Sequence, residues 1–168
     1  MVVERLKRQE IFQFLRPEQI DRLSEASKVA KFSAGETVYR QGERNDRFYI
    51  VLKGQVSLRL PTRTGGLSVL IDELSEGDVF GGCVSTALDA YSLNAQCTEE
   101  SEILVISVSA LEAIMDGDPR IGYIIQSGIS GIYFKRYIET MEKLQAVVMN
   151  VPIEWAGMFA TYNVRPLC

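Results

Sequence analysis

Apolar positions change their period twice along the chain, and the two changes divide it into three parts. In the opening stretch Leu6, Ile11, Phe12, Leu15, Ile20 and Leu23 recur at helical spacing, broken at Arg16-Pro17, where a proline suits a first helical turn. Two short helices are predicted over residues 1–28. From Val29 the pattern becomes one of short β-branched or aromatic runs: Val38-Tyr39, Phe48 to Leu52, Val56 to Leu60, Leu67 to Ile71 and Ile103 to Val108. These are strand signatures. Gly35, Gly42, Gly54, Gly65, Gly66, Gly77, Gly81 and Gly82 stand between the runs, so residues 29–109 read as an antiparallel sandwich or barrel punctuated by turns.

The helical period returns after Ser109. Ala110 to Met115 form one short helix ending near Gly117 and Pro119, and a long helix is predicted from about Ile121 to Met149, which makes 110–149 a helical part. Phe134, Tyr137, Met141, Leu144 and Val148 follow spacings of three and four along it, a narrow apolar stripe flanked by Lys135, Arg136, Glu139, Glu142 and Lys143. Such a stripe packs on the protein's own barrel or pairs with its copy in a homodimer, and two heptads are too few to choose between these. Gly128 and Gly131 weaken the first half of the helix and permit a bend or a close backbone approach.

The last segment, 150–168, carries Ile153, Trp155, Met158, Phe159, Tyr162 and Val164 after a proline stop. It is too apolar for a solvated linker and too short for a domain. It is expected to fold over the barrel mouth, to swap onto a dimer mate, or to be the stub of a missing segment.

Composition narrows the chemistry. The 168 residues, 46% hydrophobic and 24% charged, suffice for one domain with a real core. The net charge of −4 offers no general attraction to nucleic acid or anionic lipid, and no apolar run approaches the roughly 20 residues needed to span a bilayer. The expected location is the cytoplasm. Histidine is absent, which removes Ser-His-Asp and Cys-His catalysis and most zinc sites. Cys83, Cys97 and Cys168 are too few and too widely spaced for a metal or iron–sulfur centre, so no metal, no cofactor and no enzyme activity are expected.

Two helices, a glycine-punctuated barrel and a long C-terminal helix, in that order, resemble the cyclic nucleotide-binding domain of catabolite-activator-type regulators, protein kinase regulatory subunits and gated channels. The resemblance spans residues 5 to 148 and rests on particular residues. Phe32-Ser-Ala-Gly-Glu-Thr-Val-Tyr-Arg-Gln-Gly-Glu looks like the family's first barrel turn, and Phe48-Tyr-Ile-Val-Leu-Lys-Gly-Gln-Val like its next strand pair. Leu74-Ser-Glu-Gly-Asp-Val-Phe-Gly-Gly matches the approach to its phosphate-binding cassette, which here falls at 79–95. The resemblance implies a mainly β fold with flanking helices, a double-stranded β-helix or jelly-roll (β-roll).

In ligand-binding members the cassette runs from Phe-Gly-Glu to an Arg followed by Ser or Ala. The Glu accepts the ribose 2′-hydroxyl, the Arg grips the cyclic phosphate, and backbone N–H groups complete the anion site. By this count the cassette positions are Phe80, Gly81, Gly82, Cys83, Val84, Tyr91 and Ser92, with Gly82 in place of the Glu and Tyr91 in place of the Arg. No realignment supplies a cation, because no Lys or Arg occurs between Arg63 and Arg120 while eleven Asp and Glu do. Arg59, Arg63 or a partner's cation would have to reach in from outside the cassette. Removing one partner of a buried ion pair costs about 3 to 5 kcal/mol, so cyclic nucleotide binding is expected to weaken roughly a hundredfold to a few thousandfold.

The resulting expectation is a regulatory module of signal transduction, divergent in ligand, homodimeric through the long helix and in contact with a protein partner. The alternatives are a receptor for a cyclic nucleotide or other small ligand with altered chemistry, Tyr91 stacking on a ring or sealing the pocket mouth, and the effector domain of a Crp/Fnr-type transcription regulator. Relatives of the last kind carry a winged helix-turn-helix after the long helix, needing on the order of 60 more residues, so no direct DNA binding is expected of the short tail.

Overall fold

A computed structural model describes residues 2–62, 66–82 and 89–149, with side chains through 146. The chain divides into two compact units, 1–132 and 133–168.

In the first unit α1 (Val2–Lys7) is followed by a 3₁₀ turn (Glu10–Phe12) and α2 (Pro17–Glu25). Pro17 opens α2 where its missing N–H costs nothing, and the Arg16 N–H donates to Gln19 Oε1 at 2.9 Å. Eight strands come next: β1 (Ser27–Phe32), β2 (Thr37–Tyr39), β3 (Arg47–Lys53), β4 (Val56–Pro61), β5 (Ser68–Leu74), β6 (Val79–Gly81), β7 (Asn94–Cys97) and β8 (Ser101–Ser107). Then come α3 (Val108–Gly117) and α4 (Pro119–Met149). The run read from sequence as Ile103 to Val108 therefore begins two residues earlier and ends one earlier, Val108 being the first residue of α3.

The strands form two antiparallel four-stranded sheets, in the orders β1-β8-β3-β6 and β2-β7-β4-β5. Chain neighbours other than the β4–β5 hairpin fall in different sheets. β3 is central, and its alternate side chains serve two layers. Tyr49 and Val51 face the interior of the roll with Val56, Leu58, Leu74, Phe80, Ala95, Cys97, Ile103 and Val105. Phe48, Ile50, Leu104 and Ile106 alternate to the other face and are equally buried, as are Leu6, Phe12, Ile20, Leu23, Leu111 and Ile125 of the helical segments. Val108 N–H donates to Asp46 O at 3.1 Å and Ser107 N–H to Ala26 O at 3.1 Å, so the entry to α3 is tied to the starts of both strands that flank β8, β3 and β1.

The second unit contains the C-terminal part of α4. Phe134, Tyr137, Met141 and Leu144 are exposed along it, Phe134 at 66%, and Ile138 is exposed beside them. The Val148 side chain, and the tail from 150 onward, lie outside the described residues. Polar neighbours support the helix locally, with Lys135 Nζ 3.9 Å from Glu139 Oε1 and the Arg136 guanidinium 5.4 Å from the Tyr133 ring.

Candidate ligand-binding site

Four of the cassette positions, Phe80, Gly81, Gly82 and Tyr91, meet at the start of β3. Phe80 and Gly81 belong to β6, which pairs with β3 so that Phe48 lies opposite Gly81 and Tyr49 opposite Phe80. Gly81 has φ +89°, and a Cβ there would run into the Tyr49 ring, so this glycine permits a backbone turn and a close approach together. Gly82 donates its N–H to Arg47 O at 2.7 Å. A Cβ on Gly82 would stand 2.6 Å from Val108 Cγ2 and 2.7 Å from Arg47 O. The position aligned with the family's ribose-binding Glu therefore has no space for a side chain.

Tyr91 reaches the same residue from the far end of the cassette. Its hydroxyl donates to Arg47 O at 3.1 Å and accepts from Arg47 N–H at 3.2 Å. A carbonyl oxygen has two lone pairs, so Arg47 O serves Gly82 and Tyr91 at once. The backbone around Tyr91 is also held: its N–H donates to Glu43 O at 2.9 Å, its carbonyl accepts from Gly42 N–H at 2.9 Å, and Asn45 N–H donates to Asp89 O at 2.9 Å. Ser92, the next cassette residue, is exposed, and Cys83 and Val84 lie outside the described residues.

The Tyr91 ring, 6% exposed, stacks on Tyr39 with centroids 3.8 Å apart and planes 17° apart. Tyr49 stacks on Phe80 at 5.0 Å, and Tyr39 lies 5.5 Å from Tyr49 and 6.0 Å from Phe80. Four rings thus occupy the interior of the roll beneath the cassette, where aromatic pairs contribute about 0.5–1.5 kcal/mol each beyond their burial. Burial pushes the phenols of Tyr49 and Tyr91 up from their ordinary value, and the hydroxyls, 3.5 Å apart, stay protonated. For Tyr91 the hydrogen bonds to Tyr49 and to the Arg47 backbone act in the opposite direction to burial.

Arg44 and Arg47 lie beside the cassette segment, Arg44 bridged to Ala90 through the backbone and the Arg47 carbonyl accepting from Gly82 N–H. The Arg47 side chain is 46% exposed with Nε 3.7 Å from Asp46 Oδ1, and Arg59 Nε donates to Ser68 Oγ at 2.8 Å across the β4–β5 hairpin. Arg63 lies outside the described residues. Cys97 packs within the roll as a small apolar residue, its thiol pushed up chiefly by burial. Among the described residues no group of His, Cys, Asp and Glu could hold a metal ion, and no helix is long and apolar enough to cross a membrane.

Sequence reasoning left Arg47 unnamed, since its contribution is a backbone N–H and carbonyl that any residue would supply. Tyr39 was read as a strand residue, and its stacking on a ring fifty-two positions away has no local signal.

A two-sheet roll with helices before and after it defines the β-roll class of domain. Within that class the sequence profile described as cyclic nucleotide-binding domain matches residues 29–118. The chain belongs to the cyclic nucleotide-binding domain family. It is 30% identical over 102 residues to a cAMP-dependent protein kinase regulatory subunit of Mycosarcoma maydis, covering 59% of this chain and 19% of the relative. It is 35% identical over 107 residues to the CRP-like cAMP-activated global transcriptional regulator of Mycobacterium tuberculosis, covering 62% and 46%.

Solved structures share the fold. The sensor domain of the transcriptional regulator DNR from Pseudomonas aeruginosa superposes with a TM-score of 0.68 at 22% identity, over 81% of this chain and 91% of that one. The regulatory subunit of a cAMP-independent protein kinase A from Trypanosoma brucei gives 0.68 at 18% identity, over 86% and 50%. The chain spans less than half the length of the curated relatives it matches. The family is regulatory rather than catalytic.

Proposed function

We propose that this chain is a signalling module that keeps the β-roll of a cyclic nucleotide receptor without its charge chemistry, and that its cassette does not hold a cyclic nucleotide in the usual way. The observation that carries this reading is the convergence of Gly82 and Tyr91 on the Arg47 backbone. A carboxylate at position 82 would need atoms where Val108 and Arg47 already are. At position 91 a neutral phenol takes the place of a guanidinium, and its ring already stacks on Tyr39. No Lys or Arg lies from Thr64 to Pro119, so a cation for the cassette would have to come from another segment, such as Arg44 beside Ala90 or Arg47 beside Gly82. Fold membership does not choose the ligand, since relatives named as cAMP-activated and as cAMP-independent carry the same roll.

A thermal-shift titration with cAMP and with cGMP tests the reading. No rise in melting temperature at micromolar nucleotide is expected, because a ligand stabilises only in proportion to RT ln(1 + [L]/Kd). A clear rise with either nucleotide refutes it and favours a working receptor with altered chemistry.

The second part of the proposal is homodimerisation through α4. Phe134, Tyr137, Met141 and Leu144 are exposed at spacings of three and four, and Tyr123, Ser127 and Ser130 continue that spacing upstream. The upstream positions Ser127 and Ser130 are polar, so the apolar stripe remains the two heptads from Phe134 to Val148, and the support for pairing is the exposure of its large side chains rather than its length. The dimer would present its signal to a protein partner in the cytoplasm.

A further inference from the structure

The basic residues of this acidic protein are unevenly placed. Thirteen of its eighteen Lys and Arg lie at or before Arg63, beside eight acidic residues, so the N-terminal part is cationic although the whole carries −4. In the fold some of these cations surround a groove of about 630 Å³ between α1 and β1, lined by Val2, Glu4, Arg5, Arg8, Lys28 and Val29. Glu4 lies 3.7 Å from Lys7, and Arg5 lies 3.6 Å from Glu102, which also meets Lys31 at 3.4 Å. Arg8 and Lys28, both exposed, have no ion pair among the described residues.

β1 is also the outer strand of its sheet, paired with β8 on one side only. Among the described residues no strand pairs with its other side. Edge lysines commonly serve to keep such an edge from pairing at all. Here, however, a second cation, Arg8, comes from outside the sheet, and Val2 and Val29 give the groove an apolar component.

We propose that this groove binds an extended acidic segment of a partner protein, added as a strand to the free edge of β1. The edge would supply main-chain hydrogen bonds, Val2 and Val29 would receive an apolar side chain, and Arg8 and Lys28 would receive carboxylates. Spaced carboxylates suit the groove better than a run of phosphates, because Glu4 stands among its cations and Arg5 is already paired with Glu102, which leaves two separated cations rather than a continuous track. The groove adjoins the cassette only through a hollow that Lys28 shares with Arg47, and none of its lining is a cassette position, so the proposal does not rest on the ligand reading.

The test uses the full chain and a short fluorescein-labelled peptide of alternating Glu and Val, followed by fluorescence anisotropy at low salt. Saturable binding is expected, with slowed amide exchange at Lys28 to Lys31. The Arg8→Glu/Lys28→Glu variant should bind about tenfold more weakly or worse, with an unchanged melting temperature because both side chains are exposed. The milder Lys28→Ala serves if the double variant folds poorly, and should weaken binding by a smaller factor. Absence of saturable binding overturns the proposal. So does equal affinity for a backbone N-methylated peptide, which would mean attraction by charge alone, or tighter binding of oligothymidylate, which would mean a nucleic-acid surface. Loss of peptide binding on self-association through β1 would overturn it in favour of a second copy as the occupant.

Discussion

Aromatic side chains gather in two regions of this molecule and meet opposite fates. Inside the roll, Tyr39, Tyr49, Phe80 and Tyr91 are buried against one another, and the Tyr91 hydroxyl is bonded to the chain's own backbone. Along α4, Phe134 and Tyr137 stack with centroids 6.4 Å apart but remain mostly exposed, as do Met141 and Leu144. The first set has found its partners within the chain. The second stays exposed at spacings of three and four, the observation on which the proposed pairing of two copies rests. Residue type alone does not separate the two; what separates them is whether the surrounding elements bring a complementary face.

The comparison breaks most easily at Tyr91. Tyr91→Ala should destabilise the protein by about 3 kcal/mol or more, as for other buried aromatic truncations, whereas Phe134→Ala should change monomer stability by less than about 0.5 kcal/mol. Denaturant unfolding of the two variants at low protein concentration measures both. Gly82→Ala probes the same corner from the cassette side. The added methyl has to displace Val108 or the Arg47 carbonyl, and a loss of about 1–3 kcal/mol is expected from overpacking. Retention of wild-type stability in this variant would show that a side chain fits there after all.

On α4 the effect should appear in association. Leu144→Ser is expected to raise the dimer dissociation constant by about tenfold or more while leaving dilute-solution melting unchanged, read by sedimentation velocity across a concentration series. An unchanged sedimentation profile would return the stripe to packing within one chain.

The smallest effect concerns the Tyr91 hydroxyl. Tyr91→Phe keeps the stack and removes the bonds to Arg47, costing about 1 kcal/mol. The same phenol couples stability to alkaline pH. Because burial raises the folded-state value of Tyr91, its stabilising contribution is fully present below about pH 10 and is lost as pH rises above the unfolded-state value. In Tyr91→Phe that alkaline loss should be shallower, as followed by urea unfolding at stepped pH.

The roll was legible in sequence where strands are rich in β-branched and aromatic residues, as in Phe48 to Leu52 and Ile103 to Ile106. Three strands were not read as such. β1 (Ser-Lys-Val-Ala-Lys-Phe) carries two lysines because it lies at an edge, β6 is three residues long, and β7 (Asn-Ala-Gln-Cys) alternates polar and small residues. Their strand character comes from their neighbours' registers rather than from their own propensity. The absence of Lys and Arg from residues 64–119 was equally legible, since it needs no geometry. What replaces them was not, because Tyr39 and the Arg47 backbone reach Tyr91 only through the pairing of distant segments. The role of Tyr91, open in sequence between stacking on a ligand and closing the pocket, is in the structure a contact with Tyr39 and Arg47.

The central claim is that packing has replaced charge in the cassette. Isothermal titration of cAMP into the wild-type protein tests it most directly: the account predicts no saturable heat at micromolar nucleotide, and a one-to-one isotherm with low-micromolar affinity would contradict it.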